Sequence, residues 1–177
     1  MTQSEISKSR RFLDQRYILV ALSALLLDLI TKQAASTLLG NDTVSLGDRF
    51  GLMLVFNTGG AGGYSIGPAT WYLNVLVTAG AIMIITAIAA DLGRFHKLGA
   101  IALGLVAGGA MGNLASMLAG PAGVADFLAL HFEERSIVFN VADLLLWSGA
   151  LLLTPVVLML VRAIRVERSS QSAVAAV

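Results

Sequence analysis

Asn140 and Asp143 stand three residues apart in "IVFNVADLLLW", residues 137–147, where the chain turns into a run fit for lipid. On a helix, residues at i and i+3 share a face, so the amide and the carboxylate point the same way. Asn113 and Ser116 repeat that spacing in "GGAMGNLASM". Asp28 and Lys32 stand i,i+4 in "DLITK", and Asn57 opens the glycine-rich "NTGGAGG". Carboxylates, amides and hydroxyls of this kind can make up a polar site capable of proton transfer. There is no cysteine, and the histidines are two, His96 and His131. Disulfides, thiol chemistry and Cys-ligated or His-clustered metal sites are therefore excluded, and no metal or other cofactor is expected.

Each group also has a plainer use. Asp28 and Lys32 can neutralise each other as a structural ion pair pinning one helix to its neighbours. Asp143 can cap its own helix start, where negative charge is favoured. Gly104, Gly108 and Gly112 recur every fourth residue, a small-xxx-small stripe whose use is close helix packing. A site requires these groups to converge, which depends on the elements that carry them.

The 177 residues are 56% hydrophobic and 13% charged, with mean hydropathy +0.80. A soluble domain is typically about 45–50% apolar and about 25% charged, so lipid surrounds most of this chain. The formal net charge of +1 gives no reason to expect nucleic acid as a partner. A spanning helix needs about 20 mostly apolar residues. Four stretches qualify, roughly Tyr17–Leu39, Trp71–Ala90, Leu98–Ala119 and Phe139–Val161. The first is too long for the core of a cleaved signal peptide and reads as a retained helix. Lys8, Arg10, Arg11 and Arg16 precede it, Arg94 and Lys97 sit between the second and third, and Arg162, Arg165 and Arg168 follow the fourth. This bias places both termini in the cytoplasm. Trp71, Tyr72 and Trp147 suit interfacial anchoring.

The expected fold is thus all-α within the membrane, with four transmembrane helices, N-in and C-in. Residues 1–16 form a cytoplasmic segment, 17–161 a single membrane domain and 162–177 a cytoplasmic tail, whose "SSQSAVAAV" reads as disordered. In the first outer connection, 40–69, "FGLMLVF" suits a strand and the glycines suit turns, giving a small extracytoplasmic sheet. The second, 120–138, reads as an outer loop. No internal repeat stands out. The third span then ends, and the fourth begins, on the side that holds Asn57, so the polar groups meet at one depth.

The pattern resembles the lipoprotein signal peptidase (signal peptidase II) family of bacterial inner membranes, over about residues 17–161. "DLITK" is similar to its D-x-x-[ST]-K, "FNTGGAGGYS" to its N-x-G-A-A-F, "GGAMGNLASM" to its G-G-A-x-G-N-x-x-D-R, "GVADFLALHF" to its V-V-D-F and "FNVAD" to its F-N-x-A-D. Each motif is weak alone, but the five in order on a four-span frame are specific. The resemblance implies an aspartyl protease that cuts the signal peptide of a diacylglyceryl-modified prolipoprotein just before its lipidated cysteine. It implies a catalytic pair drawn from G-N-x-x-D-R and F-N-x-A-D. The second of these is Asp143; the first falls on Ser116, and the arginine after it on Met117. It also implies Asn57, Gly59, Asn113 and Asn140 as the substrate-binding and supporting positions. Gly60 and Gly62 replace the family's first alanine and its phenylalanine.

An aspartyl dyad shares one proton between two carboxylates, and a serine cannot take one of those places. His131 lies in the outer connection and is poorly placed to activate Ser116. Asp126 is the candidate substitute, although the resemblance gives it a structural role. The expected function is therefore a signal peptidase II-like membrane protein that binds a lipidated prolipoprotein signal peptide, or another acylated or membrane partner, without efficient cleavage. One alternative is an active aspartic-type peptidase using Asp143 with a non-standard partner, and another is a non-enzymatic scaffold subunit. The site is expected to face the outer leaflet, and the sequence leaves the oligomeric state open.

Overall fold

The computed structural model describes residues 13–119, 123–133 and 135–175. The basic residues Lys8, Arg10 and Arg11 and the turn residue Pro121 lie outside them. The chain forms α1 (Gln15–Leu38), β1 (Thr43–Ser45), β2 (Phe50–Asn57), a short 3-10 turn (Ala61–Gly63), α2 (Thr70–Phe95), α3 (Lys97–Ala119), β3 (Val124–Phe132), β4 (Arg135–Phe139) and α4 (Val141–Ala175). All four helices are long and apolar enough to cross a membrane.

Helix α3 is the central element. Ten of its residues are buried, and all except Leu103 are glycine or alanine. Large apolar side chains such as Leu19, Ile30 and Leu151 point outward instead. This is the expected arrangement in lipid, where helices associate by close backbone approach and not by hiding leucines. The glycine stripe faces α1. A Cβ at Gly104 would stand 2.9 Å from the Tyr17 carbonyl, and one at Gly108 2.5 Å from the Ala21 carbonyl. A Cβ at Gly112 would strike the Asp28 carboxylate. The next face meets α4, where a Cβ at Gly109 would lie 2.6 Å from the Ala142 carbonyl. Helix α2 packs on the other side, and Tyr17 Oη lies 2.7 Å from Thr86 Oγ1.

Gly108→Val should therefore destabilise the bundle by about 2 kcal/mol or more, the usual scale of overpacking. Gly80→Val is the control, because nothing lies within 4 Å of a Cβ there. Unfolding in detergent micelles checks both, and equal stability of the two variants would show that α1 and α3 can separate freely.

The strands form one antiparallel sheet in the order β1-β2-β3-β4. Residues 120–138, expected as an outer loop, thus supply β3 and β4, half of the sheet. Strand β3 is buried on both faces over Val124–Phe127, so its sequence lacks the alternation of a half-exposed strand. Phe127 packs with Ala35 and Leu39 of the first helix end, and Leu52, Leu54 and Val141 close around them. The sheet is thereby seated on the end of α1 and the start of α4. A second difference lies at the C-terminus, where helix continues to Ala175 instead of giving way to a disordered tail. Ser169, Ser170 and Ser172 each donate to a carbonyl one turn back, so their hydroxyls follow the helix.

Candidate active site

The start of α4 is the anchor of the site. The Asn140 Oδ1 accepts from the Asp143 backbone N–H at 3.0 Å, and Asp143 Oδ2 accepts from the Asn140 N–H at 3.1 Å. This is a reciprocal capping pair, so Asp143 does cap its own helix. Its second oxygen, Oδ1, is left to accept from Asn113 Nδ2 at 3.0 Å.

Asn140 is fully buried and uses every polar atom of its side chain in this frame. Its Nδ2 donates to Asp126 Oδ1 at 2.6 Å and to Asn113 Oδ1 at 3.2 Å. Because Oδ1 must receive the Asp143 N–H, the amino group has to face Asp126. One asparagine therefore bonds both carboxyl-bearing residues, and brings Asp126 of β3 beside Asp143 of α4.

Asp126 is positioned by the strand register, which sets it opposite Val55 of β2, two residues before Asn57. It is 5% exposed. Burial pushes its carboxyl up to about 6; the hydrogen bond from Asn140 opposes this, and the nearby Asp143 charge adds to it. The Asn57 amide and the Lys32 charge pull weakly downward.

Asp28 and Lys32 belong to the same network. Lys32 Nζ donates to Asp28 Oδ2 and to Asn113 Oδ1, both at 2.7 Å. Asp28 Oδ1 accepts the Ala142 N–H at 2.8 Å, at the start of α4. Lysine can only donate, so it fixes the Asn113 carbonyl toward itself and turns the Asn113 amino group to Asp143. The pair is therefore both a helix-to-helix pin and a support for the site.

Ser116 is placed differently. Its hydroxyl donates to the Gly112 carbonyl within its own helix at 3.1 Å. His131 pairs with Ser136 across β3 and β4 at 2.7 Å. Asn57 caps the glycine turn, its Oδ1 accepting the Gly59 N–H at 2.9 Å.

Beside this frame lies a cavity of about 470 Å³. Asn57, Thr58 and Gly59 line one wall together with Gly123, which lies against the Asn57 and Thr58 backbone, and Met117 and Leu118 line another; Trp71 and Asn74 reach in from α2. Asn74 was not singled out from the sequence. Its signal is a lone amide in the apolar run "TWYLNVLVT" at the start of a span. Among the described residues, no group of three His, Cys, Asp or Glu side chains is arranged to hold a metal ion.

Four apolar helices, a sheet on one end and a carboxylate–amide frame beneath it define a multi-span membrane protein with a polar site at one end of its bundle. The family model for signal peptidase (SPase) II matches residues 20–159. A lipoprotein signal peptidase of Teredinibacter turnerae is 37% identical over 142 residues, covering 76% of this chain and 82% of that protein. The Pseudomonas putida lipoprotein signal peptidase is 32% identical over 149 residues, covering 81% and 86%. A solved bacterial membrane enzyme superposes with a TM-score of 0.70 at 21% identity, over 81% of this chain and 87% of its own, and shares the fold. The chain belongs to the signal peptidase II family.

Proposed function

We propose that this chain is an active aspartic-type lipoprotein signal peptidase, and that its carboxylate pair is Asp126 with Asp143. The observation that carries the reading is the bridge through Asn140, whose side chain bonds Asp126 and the Asp143 backbone while Asp143 caps the Asn140 N–H. Under this reading Asp126 holds the role first sought at Ser116, whose hydroxyl is turned into its own helix.

The chemistry follows from one proton shared by two carboxyls. Asp126, raised by burial, carries the proton. Asp143 takes a proton from water as the water oxygen attacks the carbonyl carbon of the peptide bond before the lipidated cysteine. Asp126 gives its proton to the carbonyl oxygen. The tetrahedral intermediate then collapses: the C–N bond breaks, the leaving nitrogen takes the proton from Asp143, and Asp126 regains one from the hydroxyl. In this reading Asn57, Gly59 and the neighbouring cavity walls hold the peptide, which the cavity beside them supports. The substrate is a diacylglyceryl-modified prolipoprotein, and the site faces the outer leaflet of the bacterial cytoplasmic membrane. N-in, C-in topology is supported by Arg94, Lys97, Arg162, Arg165 and Arg168, which group at the ends of the helices away from the sheet.

A second reading, binding without efficient cleavage, is favoured by Ser116 and Met117, which stand where the family pattern has aspartate and arginine. A gel-shift assay on a diacylated prolipoprotein separates the two. The unaltered chain should cleave, and Ser116→Ala should retain activity within about threefold, since one intrahelical hydroxyl bond is all it loses. Binding with no cleavage by the unaltered chain would establish the second reading instead.

A further inference from the structure

The cavity has walls that belong to different elements, and something must keep them at a fixed separation. The wall at Asn57–Gly59 continues into a loop that holds Gly59, Gly60, Gly62 and Gly63. These residues have no side chain with which to bury themselves, and Gly62 and Gly63 stand at φ +68 and +77. A glycine-rich loop of this kind loses much conformational freedom on ordering and needs ties from outside. The opposite wall is the last turn of α3, where terminal carbonyls have no intrahelical donor.

We propose that Trp71 and Asn74, at the start of α2, are positioning residues that clasp these two walls and set how tightly the cavity holds substrate. Asn74 Nδ2 donates to the Gly59 carbonyl at 3.1 Å. The Gly59 N–H is already taken by Asn57, so both backbone groups of this residue are fixed, one from each side. Trp71 Nε1 donates to the Met117 carbonyl at 3.0 Å, satisfying one of the orphan groups at the end of α3. Residues 71 and 74 are i,i+3 on one helix, so a single rigid face reaches both walls. That face is itself held, because buried Thr70 accepts from the Ile66 N–H at 2.8 Å and donates to the Gly67 carbonyl at 2.7 Å. Tyr72 braces the indole edge-on, with ring centroids 5.0 Å apart. Neither Trp71 nor Asn74 bonds a carboxylate of the frame, so their effect is on binding and not on proton transfer.

The part of this inference that concerns substrate rests on the peptidase reading; the clasp itself does not. In the full chain in detergent micelles, Asn74→Ala should speed amide hydrogen exchange at Gly59, Gly60 and Gly63 by about tenfold, and leave Ala100–Gly109 of α3 unchanged. It should raise KM for an S-diacylglyceryl peptide by about fivefold with kcat within twofold and the pH profile unmoved, and Trp71→Phe should do the same to a smaller degree. Gly60 supplies the decisive pairing. A Cβ there would stand 3.2 Å from Asn74 Oδ1, while its φ of −84 suits alanine. Gly60→Ala should therefore harm binding in the unaltered chain and partly restore slow exchange and KM in Asn74→Ala, where the obstruction is gone. Unchanged exchange in Asn74→Ala, or kcat falling as far as KM rises, would overturn the clasp. A chain that never cleaves would refute the peptidase reading, and the exchange rates would still decide the clasp.

Discussion

Asp126→Asn should end cleavage and at the same time make the chain more stable at neutral pH. The loss of activity follows from removing the group that carries the shared proton, and a fall of at least about 10³-fold in kcat/KM is expected from losing a general acid of this kind. The gain in stability follows from burial. The Asp126 carboxyl is 5% exposed and its pKa is raised from 3.8 to about 6. A carboxyl with a raised folded-state pKa contributes stability that is fully present below the unfolded value and is lost as pH rises through the folded one. Across the window from pH 3.8 to about 6, and up to neutrality, the unaltered chain should lose about 3 kcal/mol through this group. Asparagine stays neutral and offers an oxygen to the Asn140 amino group, so the variant escapes that loss. The unaltered chain should also show kcat/KM falling above about pH 6, as the free enzyme loses the proton the pair must hold.

Asp143→Asn should be equally inactive and yet less stable. Asp143 accepts from both the Asn140 N–H and Asn113 Nδ2, and an amide has one oxygen to offer the two donors. The opposite signs in stability distinguish a carboxyl kept for its proton from one that also holds the helix start. Melting curves of the three proteins at pH 4 and pH 7 make the test. An unaltered chain whose melting temperature does not fall over that range, with an Asp126→Asn variant that melts lower at pH 7, would remove Asp126 from the role of buried proton carrier.

The four spans were legible because length and hydropathy act over whole helices, and the glycine stripe marked the α1–α3 contact because close approach leaves few residue types free. Asn113, Asn140 and Asp143 could be set at one depth from topology alone. The place of Asp126 could not. It depends on the pairing of β3 with β2, which sets Asp126 opposite Val55, and β3 was hidden between Gly120, Pro121 and Gly123 on one side and the charged "EER" on the other. The C-terminal helix was missed for a different reason. Serines read locally as turn or tail residues, whereas here their hydroxyls bond back into a helix already begun by Val141 and carried by its apolar turns. The double role of Asp28 and Lys32 was also out of reach, since i,i+4 spacing predicts the pair but not a third partner on another helix.

That third partner makes Lys32→Met the most informative change outside the carboxylates. The variant should lose about 3–5 kcal/mol, because breaking a buried ion pair leaves its other member without compensation. Asp28 has no exposure and would retain only the Ala142 N–H as a donor to its carboxylate. Activity should fall by about 10²-fold as well, since the Asn113 carbonyl loses the shorter and charged of its two donors and keeps only Asn140 Nδ2 at 3.2 Å, which loosens the placement of Asp143. The two effects can be separated. In Asp28→Asn, Lys32→Met the pair is replaced by neutral groups of similar size, and stability should return to within about 1 kcal/mol of the unaltered chain, as such exchanges often allow. Activity should not return, because the Asn113 carbonyl still lacks the ammonium that held it. Cleavage restored together with stability would mean that Lys32 serves only to neutralise Asp28. Stability restored without cleavage would show that a lysine on the first helix governs a carboxylate on the fourth through the amide between them.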